Sequence, residues 1–172
     1  MSKPRLFLTS AVLLLLLMTT TFPALAGTPT VTYSAVLKGA NEVPAVDSDA
    51  YGKVAFLLSE DGESMRFLLG AVSIDNPVAA HIHMGAPGEN GPVVVALFSA
   101  PAGGGEHNGL LSKGKITADN LTGPLAGQPF SALLDLIASG NAYVNVHTND
   151  GVAPTNTGAG DIASGEIRGQ LH

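Results

Sequence analysis

The chain has 172 residues, fourteen Asp and Glu against eight Lys and Arg, five His, no Cys and no Trp. A net charge of −6 at pH 7 argues against nucleic acid and anionic membrane surfaces as partners, because both are held mainly by clustered Lys and Arg. The absence of cysteine excludes disulfides, thiol chemistry and lipid attachment at a cysteine.

The first residues, MSKPRLFLTSAVLLLLLMTTTFPALAG, run from Lys3 and Arg5 through an apolar stretch to Ala24-Leu25-Ala26. That order reads as a secretory signal peptide over residues 1–26, cut after Ala26, with a single domain over 27–172. The alternative, a retained anchor, needs about 20 apolar residues to span a bilayer, and the run is shorter than that. The expected product is secreted or periplasmic, with no membrane association after cleavage. An extracellular or periplasmic protein is the open class of partner. Without Lys3 and Arg5, six basic residues face fourteen acidic ones and the net charge falls to −8.

Beyond Gly27 the apolar pattern has period two. In residues 30–38 (TVTYSAVLK), Val31, Tyr33, Ala35 and Leu37 share one face of a strand. Residues 53–59 (KVAFLLS) and 64–69 (SMRFLL) flank EDGE, whose Asp-Gly predicts a hairpin turn. Further strands are expected at 79–84, 93–98, 110–116, 142–148 and 165–171. Residues 129–139 (PFSALLDLIAS) instead space Phe130, Leu133, Leu134 and Ile137 as on a helix, with Pro129 at its start and Gly140 suited to a left-handed stop. Two stretches, 101–109 (PAGGGEHNG) and 149–164 (NDGVAPTNTGAGDIAS), read as long polar loops. Short strands between Gly, Pro, Asn and Asp predict an all-β antiparallel sandwich or barrel with one short helix.

Chemistry concentrates on histidine. In AAHIHMGAPGENGPVVV (79–95), His81 and His83 stand two apart, so on a strand they share a face while Ile82 takes the other. In NAYVNVHT (141–148), inward Val144 and Val146 leave Tyr143, Asn145 and His147 on the opposite face. Two strands thus each place histidine away from β-branched residues, and imidazoles so gathered suit a copper or zinc ion. The competing reading is a set of surface histidines on a non-catalytic binding or adhesion module.

His107, in the glycine-rich 101–109 stretch, is a candidate fourth ligand, and His172 is the chain end. Asp150 and Asp161 fit no EF-hand spacing, and turn formation accounts for them. Nothing marks a nucleophile: Gly-x-Ser-x-Gly is missing, and Gly103-Gly104-Gly105 lacks the Lys-Ser/Thr of a phosphate loop. No catalytic residue and no organic cofactor is expected. Arg168 in GEIRGQL is expected to pair with Glu166 on its own strand or with Glu42, as charges must when buried.

Three segments, LKGANEVPAVDSDAYG (37–52), AHIHMGAPGENGPVVVAL (80–97) and the pair GNAYVNVHT and GEIRGQL within 140–171, resemble the CHRD domain. That family is named for its occurrence in chordin and is also found in exported microbial proteins. The resemblance runs from about Val31 to Leu171 and implies a secreted β-rich domain. The His-x-His pair, the later His147 after Val144-Asn145-Val146, and ASGEIRG near the end are more distantly similar to copper/zinc superoxide dismutase, a Greek-key β protein. This likeness implies copper ligation by His81, His83 and His147, with His107 lying where the dismutase has its bridging histidine. The zinc-subsite residues and the disulfide of that family have no counterpart here, and Asp161 or Ile162 falls near the place of its guiding arginine. Copper binding is therefore better supported than dismutation.

Overall fold

The computed structural model describes residues 32–172; the expected leader and the first residues of the expected 30–38 strand lie outside them. Eight strands form one antiparallel sheet: β1 (Tyr33–Lys38), β2 (Tyr51–Leu58), β3 (Met65–Asp75), β4 (Pro77–Met84), β5 (Val93–Ser99), β6 (Glu106–Ile116), β7 (Ala142–Thr148) and β8 (Ile167–Gln170). Their order is β5-β4-β7-β8-β1-β2-β3-β6. β1, β2 and β3 form a meander. The β4–β5 hairpin then begins a second group, β6 returns to pair with β3, and β7 and β8 complete the path between β4 and β1. The sheet curls into a nearly closed barrel. At the seam, Ser112 on β6 donates its hydroxyl to the Leu97 carbonyl of β5 at 2.7 Å.

Alternation determines what the barrel encloses. Ala35, Leu37, Val54, Phe56, Phe67, Leu69, Ile82, Val144, Val146 and Ile167 are all buried, each separated from the next inward residue of its strand by an outward one. The expected hairpin turn is present: Gly62, at φ 72°, donates to the Ser59 carbonyl, a conformation open to glycine without steric cost. The helix α1 (Ser131–Ala138) buries Leu133 and Ile137. It stops at Gly140, φ 73°, where Gly140 and Asn141 donate to the Ile137 and Leu136 carbonyls in a Schellman arrangement.

The main boundary differences from expectation are in β3 and β6, both longer than the sequence pattern implied. Only residues 101–105 of the predicted 101–109 loop are irregular, because β3 continues to Asp75 and pairs its Ile74 and Asp75 with His107 and Glu106 of β6. Among the described residues, no helix is long and apolar enough to cross a membrane.

Candidate metal centre

His81 and His83 project from β4 on the side opposite Ile82, which is fully buried in the core. Across the β4–β7 ladder His81 faces Asn145, His83 faces Tyr143, and His147 faces Ala79. The small Ala79 side chain leaves room beside it, so His147 reaches diagonally toward His81. Ring centroids are 5.6 Å apart for His81–His83, 5.0 Å for His81–His147 and 6.0 Å for His83–His147. One ligand nitrogen from each ring falls within 4.8 Å of the others.

Hydrogen bonds select which nitrogens those are. His83 Nδ1 donates to the Gly91 carbonyl at 2.8 Å and His147 Nδ1 donates to the Ala163 carbonyl at 3.0 Å. A carbonyl only accepts, so both protons sit on Nδ1 and both Nε2 atoms carry lone pairs. His83 Nε2 is buried and makes no hydrogen bond, an orphaned acceptor beside two other imidazoles. His147 Nε2 accordingly accepts from His81 Nδ1 at 3.1 Å, a proton that an ion held between the two would displace. That spacing matches two metal–nitrogen bonds of about 2.0–2.1 Å meeting at roughly 100°. His81 is held down to about 4 by burial and by the neighbouring His147 and His83. His83 and His147 are also lowered, in both cases mainly by burial. All three are neutral at pH 7, the form a metal requires.

The outer side of β4, β7 and β8 is a second, polar interior rather than a solvated surface. Tyr143, Asn145, Glu166 and Arg168 are each no more than 3 % exposed, covered by residues 85–91 and 149–164. The Arg168 guanidinium lies 3.4 Å from the centroid of the Tyr143 ring, and the His83 ring stacks on Tyr143 from the neighbouring strand on the other side, 4.8 Å away and 9° from parallel. Arg168 donates to Asn90 Oδ1 (3.0 Å) and to the carbonyls of Ala86 (3.3 Å) and Glu89 (2.7 Å), which pins the 85–91 loop. That loop presents the Gly91 carbonyl to His83. Gly91 has no substitute there, since a Cβ would stand 1.6 Å from the Met84 carbonyl oxygen.

Glu166 performs the same service for the other loop. Its carboxylate accepts from Ser48 Oγ (2.6 Å), Thr148 Oγ1 (2.6 Å) and the Gly160 amide (2.8 Å), while Thr148 Oγ1 accepts from the Ile162 amide (2.8 Å). These bonds fold residues 149–164 back so that the Ala163 carbonyl meets His147. The expected Glu166–Arg168 pairing is therefore replaced by two separate anchors, each holding the loop that orients one histidine. Arg168 does act on Glu42: burial raises the Glu42 carboxyl to about 7, and the guanidinium opposes that rise without cancelling it.

The structure brings together His81, His83 and His147. His107 is not part of the group: it sits on β6 opposite Ile74, and β5 lies between β6 and β4 around the barrel seam. Tyr143 could be found from alternation alone, since it shares a face with His147. Gly91, Asn90 and Ala163 carry no such signal, because their roles arise where loops fold over the sheet. No curated protein matches the chain closely enough to serve as a relative. Residues 33–171, nearly the whole described chain, match the CHRD domain, and the protein belongs to the CHRD domain family.

Proposed function

We propose that this is an exported CHRD-domain protein whose barrel holds a copper or zinc ion through His81 Nδ1, His83 Nε2 and His147 Nε2. The observation that carries the reading is the pair of Nδ1–H bonds to the Gly91 and Ala163 carbonyls, which commits two imidazoles to the ligating tautomer and leaves His83 Nε2 buried without a partner. Histidines that merely decorated an adhesion surface would have no reason to be desolvated, oriented and neutral together. Three imidazoles follow the preference of copper and zinc, with copper the stronger by the usual order of affinities. Three protein ligands leave a fourth position for water or a small molecule, where a bound ion would supply Lewis acidity or, as copper, one-electron exchange. The reading of residues 1–26 as a leader supports export.

The test is metal titration of residues 27–172, which contain the whole described barrel. One ion per chain is expected, and at a hundredfold excess over Kd the folded state gains about 2.7 kcal/mol, raising Tm by about 5–10 °C. His83→Ala and His147→Ala should abolish the shift, whereas His107→Ala and His172→Ala should preserve it. An unchanged Tm with both ions, together with no heat of binding, would remove the proposal.

A further inference from the structure

The distribution of charge around the barrel separates what the overall composition mixes. The described residues contain six Lys and Arg. One, Arg168, is buried; the other five, Lys38, Lys53, Arg66, Lys113 and Lys115, are all exposed and all on the outer face of β1-β2-β3-β6. Register shows this directly. Val54, Phe56, Phe67 and Leu69 point inward, so their neighbours Lys53, Arg66 and Leu68 point outward, and Lys113 and Lys115 lie opposite Leu68 and Arg66. Among the described residues, no Asp or Glu occupies an outward position in the middle of this face. Acidic residues bound it instead, with Asp61 close enough to Lys115 for its own pKa to be lowered in part by that charge, and Asp49, Asp75 and Glu106 beyond the far end.

The centre of the same face is apolar. Of the five large hydrophobic residues exposed among the described ones, Tyr51, Leu68, Val72 and Leu110 are here, and only Val152 lies elsewhere. Leu68, 47 % exposed, stands between two shallow grooves. One, of about 410 Å³, has Val36 and Ala55 along it and Lys53 at its side; the other, of about 500 Å³, has Leu57 beside Arg66 and Lys113. Each groove thus joins an apolar lining to a cation.

We propose that this face docks on an anionic lipid bilayer, with Leu68, Val72 and Leu110 entering the headgroup boundary while the five cations meet lipid phosphates. Two features of the surface select this occupant over a second copy of the chain. A two-fold contact would set five cations against five with no acid between them, and a head-to-tail contact would have to seat Leu68, Val72 and Leu110 on the acidic side, where Val152 is the one large hydrophobic residue well exposed among those described. The acidic residues do not forbid the approach. Most lie beyond this face, and their field is screened within about 8–10 Å at physiological salt. The contact is independent of the metal centre, which belongs to β4 and β7.

Flotation of residues 27–172 with vesicles tests it. Binding is expected to phosphatidylcholine vesicles containing phosphatidylglycerol, to weaken with salt, and to be absent with phosphatidylcholine alone. Lys53→Gln with Lys113→Gln should lower partitioning by about 25-fold, taking about fivefold for each cation near the surface. Leu68→Ser should lower it as well, and Asp135→Asn, on α1, should leave it unchanged. All four positions are at the surface, and equal Tm values confirm that the variants fold. Equal flotation with both lipids, none with either, or wild-type flotation of the Lys53→Gln/Lys113→Gln protein would overturn the proposal. So would lipid-free self-association that Leu68→Ser abolishes, which would assign the face to a second copy.

Discussion

Replacing Glu42 with Gln should make the metal-free protein more stable at alkaline pH while changing it little in acid. Glu42 is 7 % exposed and its Oε1 has no hydrogen-bond partner. Burial raises its pKa from 4.5 to about 7, against the opposing effects of Arg168 and the Asn145 side chain. Between those two values the folded chain keeps a proton that the unfolded chain releases, so stability falls as pH rises. At 1.36 kcal/mol per unit, the difference costs the wild type about 3 kcal/mol at pH 8 but less than about 1 kcal/mol at pH 5. Glutamine does not ionise, so relative to wild type the variant should gain about 2.5 kcal/mol on going from pH 5 to pH 8, or roughly 5–10 °C in Tm. The three histidines, whose folded pKa values are lowered, make stability rise with pH up to about 6.5 in both proteins. Comparing the two chains at each pH cancels that contribution. Chemical denaturation at the two pH values supplies the measurement. A wild-type-to-variant difference that does not vary with pH, or a variant less stable at pH 8, would mean that Glu42 is ionised and paired with Arg168, and the argument from burial would fail.

Two other outcomes follow from the same interior. Because all three imidazoles are held below the usual histidine pKa and His81 reaches about 4, metal affinity should stay flat from pH 8 to near 6.5 and fall only at more acid pH, where protons compete for the ring nitrogens; competition titrations across that range read this out, and loss centred on pH 6.5 would contradict the desolvation of the site. Arg168→Lys keeps the charge but cannot span Asn90, Ala86 and Glu89, so the 85–91 loop loosens and metal affinity should drop by about 10–100-fold. Such a loss should be accompanied by faster hydrogen exchange at the Gly91 amide, which donates to the Tyr143 hydroxyl, and unchanged affinity would sever the link between that anchor and His83.

The strands and the inner face were legible in the chain because a half-buried strand has a rigid period of two. Ile82, Val144 and Val146 point into the core, and geometry then requires His81, His83 and His147 to share the other side. The helix was legible from its apolar spacing and from Gly140. Alternation cannot report what lies on top of an outward face. Asn145, Glu166 and Arg168 stand on that face like any polar strand residue, and they are buried only because residues 85–91 and 149–164 fold over them. His107 shows the same limit from the other direction: a glycine-rich context suggests freedom to reach the ligands, whereas pairing with β3 places it on a strand away from them.

Composition has an equivalent blind spot. A net negative charge is a sum over the chain, and a sum carries no direction, so it argued against anionic surfaces for the molecule as a whole. Sheet order decides which strands are neighbours, and by bringing β1, β2, β3 and β6 side by side it gathers onto one face every exposed cation of the described chain. Local sequence settles which way each side chain points, since that depends on the residue and its immediate neighbours. Which side chains meet depends on closure of the barrel and the path of two loops, and those are set by contacts between residues far apart in the chain.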